Sequence, residues 1–257
     1  MIDSLAIIIL GLIQGLTEFL PVSSSGHLVF MEYFLNFKQP GVFFDVLLHF
    51  GTAFSVVFVF YKRIIELLKS FFTWKKDNDF YLCIYIIIAN IPVAIIGLGG
   101  FDKYFKALFS INIVAFTLIL NGVMMYLTKF IKIGNKDFNI KKSIFVGIAQ
   151  CIAITPGISR SGSTIFAALL GKISPIKAFE FSFLLSLPVI FGAAFKEFFE
   201  VKDTIQFNPW YLAGFLISFI TGIFALKFLK RFVVKGKLHY FGIYCFIIGC
   251  ILILVKK

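Results

Sequence analysis

The chain has 257 residues, of which 60% are hydrophobic and 15% charged, with 36 phenylalanines and a mean hydropathy of +0.96. So little polar surface cannot cover a soluble domain of this length, and the composition points to an all-α integral membrane protein. The net charge of +12 is concentrated in a few connections between apolar runs, which excludes nucleic acid as the partner behind it.

The first apolar run, Ile2 to Leu20, has no basic start, carries Glu18 and leads into SSSGH rather than a small-residue cleavage site. It reads as part of the mature protein and not as a signal peptide. A bilayer core of roughly 30 Å takes about 20 residues. Six further runs are long enough: Val42 to Tyr61, Tyr81 to Gly99, Ile111 to Thr128, Ala178 to Phe195, Trp210 to Leu226 and Leu238 to Val255. Lys62, Arg63, Lys69, Lys75 and Lys76 follow the first of these. Lys129, Lys132, Lys136, Lys141 and Lys142 follow the third, and Lys227, Lys230, Arg231, Lys235 and Lys237 the fifth. The alternate loops hold only Lys103 and Lys106, then Lys196 and Lys202. The positive-inside rule makes the rich loops cytoplasmic and both termini external. Trp74 and Trp210 fall near span ends, as an aromatic belt predicts.

Two polar stretches interrupt this pattern. GLIQGLTEFLPVSSSGH at Gly11 to His27 and GIAQCIAITPGISRSGS at Gly147 to Ser163 match at a fixed offset of 136 positions, pairing Gln14 with Gln150, Ser23 with Ser159, Ser25 with Ser161 and Gly26 with Gly162. Polar, Gly- and Pro-bearing backbone is tolerated at membrane depth only where protein or a water-filled cavity surrounds it, so each copy reads as a broken helix lining a site. The charge pattern requires each copy to return to the side it came from. Three spans separate them, so the copies have opposite orientation. The expectation is one membrane domain over 1–257, with six transmembrane helices and two re-entrant helical hairpins. It forms an inverted-topology repeat, the first unit covering about 1–130 and the second about 140–257. Phe44-Asp45 and Phe179-Glu180 open the spans after each copy as a weaker echo.

Gln14 and Glu18, four apart, share a helix face, and Pro21 ends that helix before a hydroxyl-rich turn. Ionisable groups at membrane depth are costly, which marks Glu18, His27 and Arg160 as functional candidates. Arg160 occupies in the second copy the position of Ser24 in the first. A guanidinium fork beside hydroxyls and Gly-freed amides suits phosphate. Asp45, His49 and Thr52 line the next span, where Asp45 or His49 could support the site; Glu180 is the same case in the second unit. Cys83, Cys151, Cys245 and Cys250 show no metal spacing and read as small hydrophobes.

At these residues a resemblance becomes close. QGLTEFLPVSSSGHL, from Gln14, resembles the first signature of the undecaprenyl-diphosphate phosphatase family, the membrane enzymes associated with bacitracin resistance; PGISRSGSTI, from Pro156, resembles the second. The likeness continues through FDVLLHFGT (Phe44 to Thr52), IPVAIIG (Ile91 to Gly97) and FSFLLSLPVIFGA (Phe181 to Ala193). It implies hydrolysis of undecaprenyl diphosphate to the monophosphate and phosphate, recycling the carrier lipid of peptidoglycan and other envelope polymers. The implied location is the bacterial inner (plasma) membrane, among its lipids, with the site open to the outer face. A homodimer is compatible with it.

Carried over position by position, the resemblance places the family's acidic motif on Gln14 and Glu18, its Ser and His positions on Ser23, Ser24 and His27, and its basic motif on Ser159, Arg160, Ser161 and Thr164. The expected catalytic residues are Glu18, Ser24, His27 and Arg160, with Gln14, Ser23, Ser25, Gly26, Ser159, Ser161, Gly162 and Thr164 as expected substrate contacts. The first acidic position of the family motif is Gln14 here, leaving one carboxylate fewer, so Glu18 must do more. The expected mechanism has Arg160 as diphosphate clamp and amides near Gly26 and Gly162 stabilising charge. Ser24 is the expected nucleophile, activated by Glu18 directly or through a bound Mg²⁺ or Ca²⁺ at Glu18, with His27 as acid/base partner. His27 as nucleophile, or a metal-activated water, stays open. The reading from another class is a transporter or flippase for an anionic isoprenoid lipid, since inverted repeats with broken helices are a transporter plan.

Overall fold

The computed structural model describes residues 2–35, 42–99, 108, 110–201 and 208–255. Among them run the helices α1 (Ile2–Thr17), α2 (Ser24–Leu35), α3 (Val42–Phe72), α4 (Asn78–Leu98) and α5 (Ile111–Leu127), then α6 (Ile140–Ile152), α7 (Arg160–Leu170), α8 (Pro175–Val201), α9 (Trp210–Val234) and α10 (His239–Val255). A 3₁₀ turn follows α5 at Thr128–Phe130. No strand occurs among the described residues, where the β pairing is one isolated bridge between Lys136 and Ile173.

Five helices, α3, α4, α5, α8 and α9, are long and apolar enough to cross a bilayer, so the chain is a multi-pass membrane protein. The expected sixth span is α10, whose 17 residues reach only about 25 Å at 1.5 Å per residue. Other boundaries move too. α3 continues to Phe72 and α9 to Val234, so Lys62, Arg63, Lys69, Lys227, Lys230 and Arg231 stand on helices and not in loops. A helix satisfies its own backbone wherever it runs, and long basic side chains reach the polar zone from inside it. α4 begins at Asn78, three residues before Tyr81, because Asp77 caps it: its carboxylate accepts from the amides of Asp79 and Phe80, each at 3.0 Å. Trp74 lies in the turn before this cap and Trp210 opens α9.

Packing respects the exchange of α1–α5 with α6–α10. α1 lies along α9 as α6 lies along α4, and α5 pairs with α10. The equivalence extends to single atoms. A Cβ on Gly11 would sit 2.7 Å from the Gly214 carbonyl oxygen, and one on its counterpart Gly147 would sit 2.5 Å from that of Ala89. Both crossings thus depend on a missing side chain, the usual way helices approach closely where lipid supplies no hydrophobic drive. Fully buried Phe19, Phe181, Phe183, Ile165 and Leu185 fill the centre, and Ile7, Leu10, Phe44 and Leu48 a second cluster. Phe58, Leu98, Phe116 and Phe224 point outward, an apolar exposure suited to lipid.

The connections 73–77, 128–139, 171–174 and 235–238 gather at one end. There Arg63 bonds Asp79 at 2.7 Å and Glu180 at 2.6 Å, Lys177 pairs with Asp137, and Gly236 lies beside Ile133. The Lys136 amide donates to the Lys172 carbonyl at 2.9 Å. The chain therefore enters α6 and leaves α7 at the same end, and the turn between them reaches into the middle. Glu180, an expected neighbour of the site, belongs to this terminal cluster.

Candidate active site

Two short helices, each preceded by a broken segment, bring the polar loops together. α2 starts at Ser24 and α7 at Arg160, equivalent positions. In both, the serine just before the helix accepts a hydrogen bond from the amide three residues on, Gly26 to Ser23 Oγ at 3.2 Å and Gly162 to Ser159 Oγ at 3.1 Å. In both, that serine also touches the hydroxyl two residues on, Ser25 at 3.2 Å and Ser161 at 3.1 Å. The sequence repeat is thus a repeated N-cap, which explains its Ser-x-Ser-Gly spacing. The copies differ at one torsion. Ser23 has φ 68, a left-handed conformation costing about 1 kcal/mol or more for a residue other than glycine, whereas Ser159 is extended at φ −79.

The loops are locked to each other and to α5. Asn121 is fully buried; its Nδ2 donates to the Pro21 carbonyl at 2.9 Å while its Oδ1 accepts from the Ser159 amide at 3.0 Å. Thr117 Oγ1 reaches the Pro156 carbonyl at 2.5 Å, and Ser161 Oγ donates to that of Phe19 at 2.8 Å. Gly157, at φ 91, packs so tightly that a Cβ would lie 2.0 Å from Thr117 Oγ1. Freed carbonyls of broken helices are satisfied here by side chains, as a lipid-depth site demands.

Glu18 is the centre of the arrangement. Oε1 accepts from Arg160 Nη2 at 2.5 Å; Oε2 accepts from Ser24 Oγ at 2.7 Å and from Gln14 Nε2 at 3.1 Å. Arg160 Nη1 is buried and finds no acceptor among the described residues, so the guanidinium keeps one donor for an anion. A cavity of about 240 Å³ opens on this group, lined by Glu18, Ser23, Ser24, Ser25, Ser159 and Arg160 together with His49 and Gln150.

The remaining predicted residues do not line that cavity. Gln14 lies behind Glu18. The Gly26 and Gly162 amides are consumed by the serine caps and so are not free for the charge stabilisation expected of them. Ser161 is spent on Phe19, and Thr164 on Ser182 Oγ at 2.6 Å. His27 points away. Its Nδ1 donates to the Ser23 carbonyl at 2.8 Å, leaving Nε2 to accept from the Tyr244 hydroxyl at 2.8 Å. Sequence reasoning did not single out Asn121 or Tyr244, and it expected of His49 a supporting place, whereas the side chain lines the cavity itself. A buried Asn inside the apolar run INIVAFTLILNGVMMYL was a readable signal; the partner of His27, 217 positions away, was not.

The expected Mg²⁺ or Ca²⁺ finds poor support in the donor set. Such ions take six or more oxygen ligands. Here one carboxylate is present and both its oxygens are engaged, and the described residues contain no group of three His, Cys, Asp or Glu able to hold a metal. These residues do not make a resident cation site.

Comparison with known proteins settles the lineage. The family described as "Bacitracin resistance protein BacA" matches residues 7–251. The chain belongs to the BacA family. Its relatives, each named undecaprenyl-diphosphatase, include proteins from Korarchaeum cryptofilum (40% identical, covering 94% of this chain and 95% of the relative) and Halothermothrix orenii (41%; 97% and 96%). Another is from Carboxydothermus hydrogenoformans (39%; 99% and 98%). These matches extend over nearly the full length of this chain and of each relative.

Proposed function

We propose that the protein hydrolyses undecaprenyl diphosphate to undecaprenyl phosphate and inorganic phosphate, returning a lipid carrier to envelope polymer synthesis. The observation that carries this reading is the hydroxyl–carboxylate–guanidinium chain of Ser24, Glu18 and Arg160 inside one cavity. Arg160 Nη1, with first-turn amides of α2 and α7, receives the terminal phosphate. Ser24 Oγ attacks its phosphorus while Glu18 takes the hydroxyl proton, the anhydride bond breaks, and Glu18 passes that proton to the oxygen of the departing undecaprenyl phosphate. Water then cleaves the phosphoserine, with Glu18 again accepting the proton. His27 has both nitrogens occupied, so this reading gives it the task of fixing the Ser23 turn. Mg²⁺ or Ca²⁺ enters as a companion of the diphosphate substrate.

The topology proposed with it has α10 as a sixth span and α1–α2 and α6–α7 as re-entrant hairpins of an inverted repeat. Support comes from the shared entry and exit of α6–α7 and from equivalent caps in both copies. The basic end is assigned to the cytoplasm of a plasma membrane and the cavity mouth to the outer face. The test is phosphate release from undecaprenyl diphosphate by the purified protein, with and without chelator, beside Ser24→Ala. Release that disappears in a folded Ser24→Ala protein is the expected result. Lipid binding without release by the wild type would overturn hydrolysis in favour of lipid transport.

A further inference from the structure

The chain holds three histidines, and the imidazole that lines the cavity is His49. Its neighbours dictate its proton. Glu18 is bound by Arg160 and Ser24 as a carboxylate, so the Gln14 atom 3.1 Å from Glu18 Oε2 must be the amide nitrogen, a donor. That same nitrogen lies 3.0 Å from His49 Nδ1. An amide NH₂ has no lone pair to offer, so Nδ1 must be the acceptor and the imidazole proton must sit on Nε2. Direct bonding to the carboxylate is excluded, since Nδ1 is 3.8 Å from Glu18 Oε2. Gln14 is fully buried, which leaves it little freedom to turn its amide over. His49 is partly exposed and lines the cavity, and with Nδ1 engaged Nε2–H is its remaining polar side-chain group.

We propose that His49 is a substrate-contacting residue, donating from Nε2–H to the diphosphate, and that Gln14 is the positioning residue that holds it in this tautomer. The first acidic position of the family motif thus takes a different task in this chain: it prepares a donor. The inference rests on the phosphatase reading for its substrate, yet the tautomer can be observed without turnover.

The experiment combines imidazole ¹⁵N spectra of the full-length protein in detergent with kinetics on undecaprenyl diphosphate. Expected in the neutral protein are a bare Nδ1 and a protonated Nε2 for His49, assigned by its loss in His49→Phe, and a shift of that Nε2 signal when inorganic pyrophosphate is added. In Gln14→Leu the His49 signals become a mixture of both tautomers. His49→Phe raises KM about tenfold or more, as loss of a hydrogen bond to a charged ligand does, with kcat within about threefold. His49→Gln, whose amide nitrogen falls near Nε2, restores most of the affinity. A protonated Nδ1 in the wild type, an Nε2 signal indifferent to pyrophosphate, or an unchanged KM in His49→Phe while the wild type releases phosphate would each overturn the proposal and leave the phosphatase reading standing. A wild type that releases no phosphate sinks that reading, and the pyrophosphate shift then still decides whether His49 contacts an anion.

Discussion

Ser24 and Glu18 are the pair to which the proposed chemistry assigns the nucleophile and the base, and these roles separate by substitution. Ser24→Ala is expected to lower phosphate release by about 10³-fold or more while lipid binding persists, because the hydroxyl reacts and contributes little to affinity. Glu18→Gln keeps the side chain's shape but cannot take a proton; the expected loss in kcat is about 10²- to 10⁴-fold. Phosphate release assays on folded protein check both. Arg160 bonds Glu18 through one nitrogen and keeps another for the substrate, so Arg160→Lys, which has no second arm, should raise KM and lower kcat together. At this scale the sequence was informative about membership: Glu18, Ser24, Arg160, Ser23, Ser25 and Ser159 do share a cavity. It was silent about direction. His27 looked like the site's imidazole because it follows the signature serines, yet it turns to Tyr244, and His49 faces the cavity from the next helix.

The elements are held by a few polar side chains whose removal has local consequences. Asn121 on α5 bonds a backbone group of each polar loop, so Asn121→Leu strands the Ser159 amide and leaves the Pro21 carbonyl with only the weak Cys245 thiol donor at 3.7 Å. A cost of about 1 to 3 kcal/mol for each is expected, seen as a lower unfolding midpoint in detergent together with reduced turnover. The Asp77 cap of α4 gives a pH dependence. Ser70 Oγ and then the Phe80 amide hold its carboxyl down at about 2, below the ordinary 3.8. The carboxylate therefore stabilises the folded protein at neutral pH, and its contribution fades as pH falls from 3.8 towards about 2. Thermal midpoints followed across that window should fall less steeply in Asp77→Ala than in the wild type. Helix positions were readable from apolar runs, but ends were not. α3 and α9 run past their last apolar residues because a helix needs no apolar neighbour to satisfy its backbone, whereas α4 starts early because a cap is present.

For the molecule as a whole, α1 packs on α9 at Gly11 and α6 on α4 at Gly147 through close helix crossings. Gly147→Leu would push α6 away from α4, since its Cβ alone would stand 2.5 Å from the Ala89 carbonyl oxygen. The expected result is a destabilisation of about 1 to 3 kcal/mol and a loss of activity without any change in the residues that face the cavity, measured by thermal unfolding and phosphate release on the same preparation. The 136-residue offset, the apolar runs and the Ser-x-Ser-Gly spacing are local patterns, and each follows from the chemistry of a few neighbouring residues. The sequence by itself therefore determined the membrane setting, the repeated polar segments and the acidic, hydroxyl and basic residues that line one cavity. Only the tertiary structure decided which atoms meet: Asn121 between the loops, Tyr244 on His27, and Gln14 between Glu18 and His49. Apart from Gln14 with Glu18, four positions on, these contacts join residues 35 to 217 positions apart, and the angle at which helices cross, which no local pattern encodes, brings them within hydrogen-bond reach.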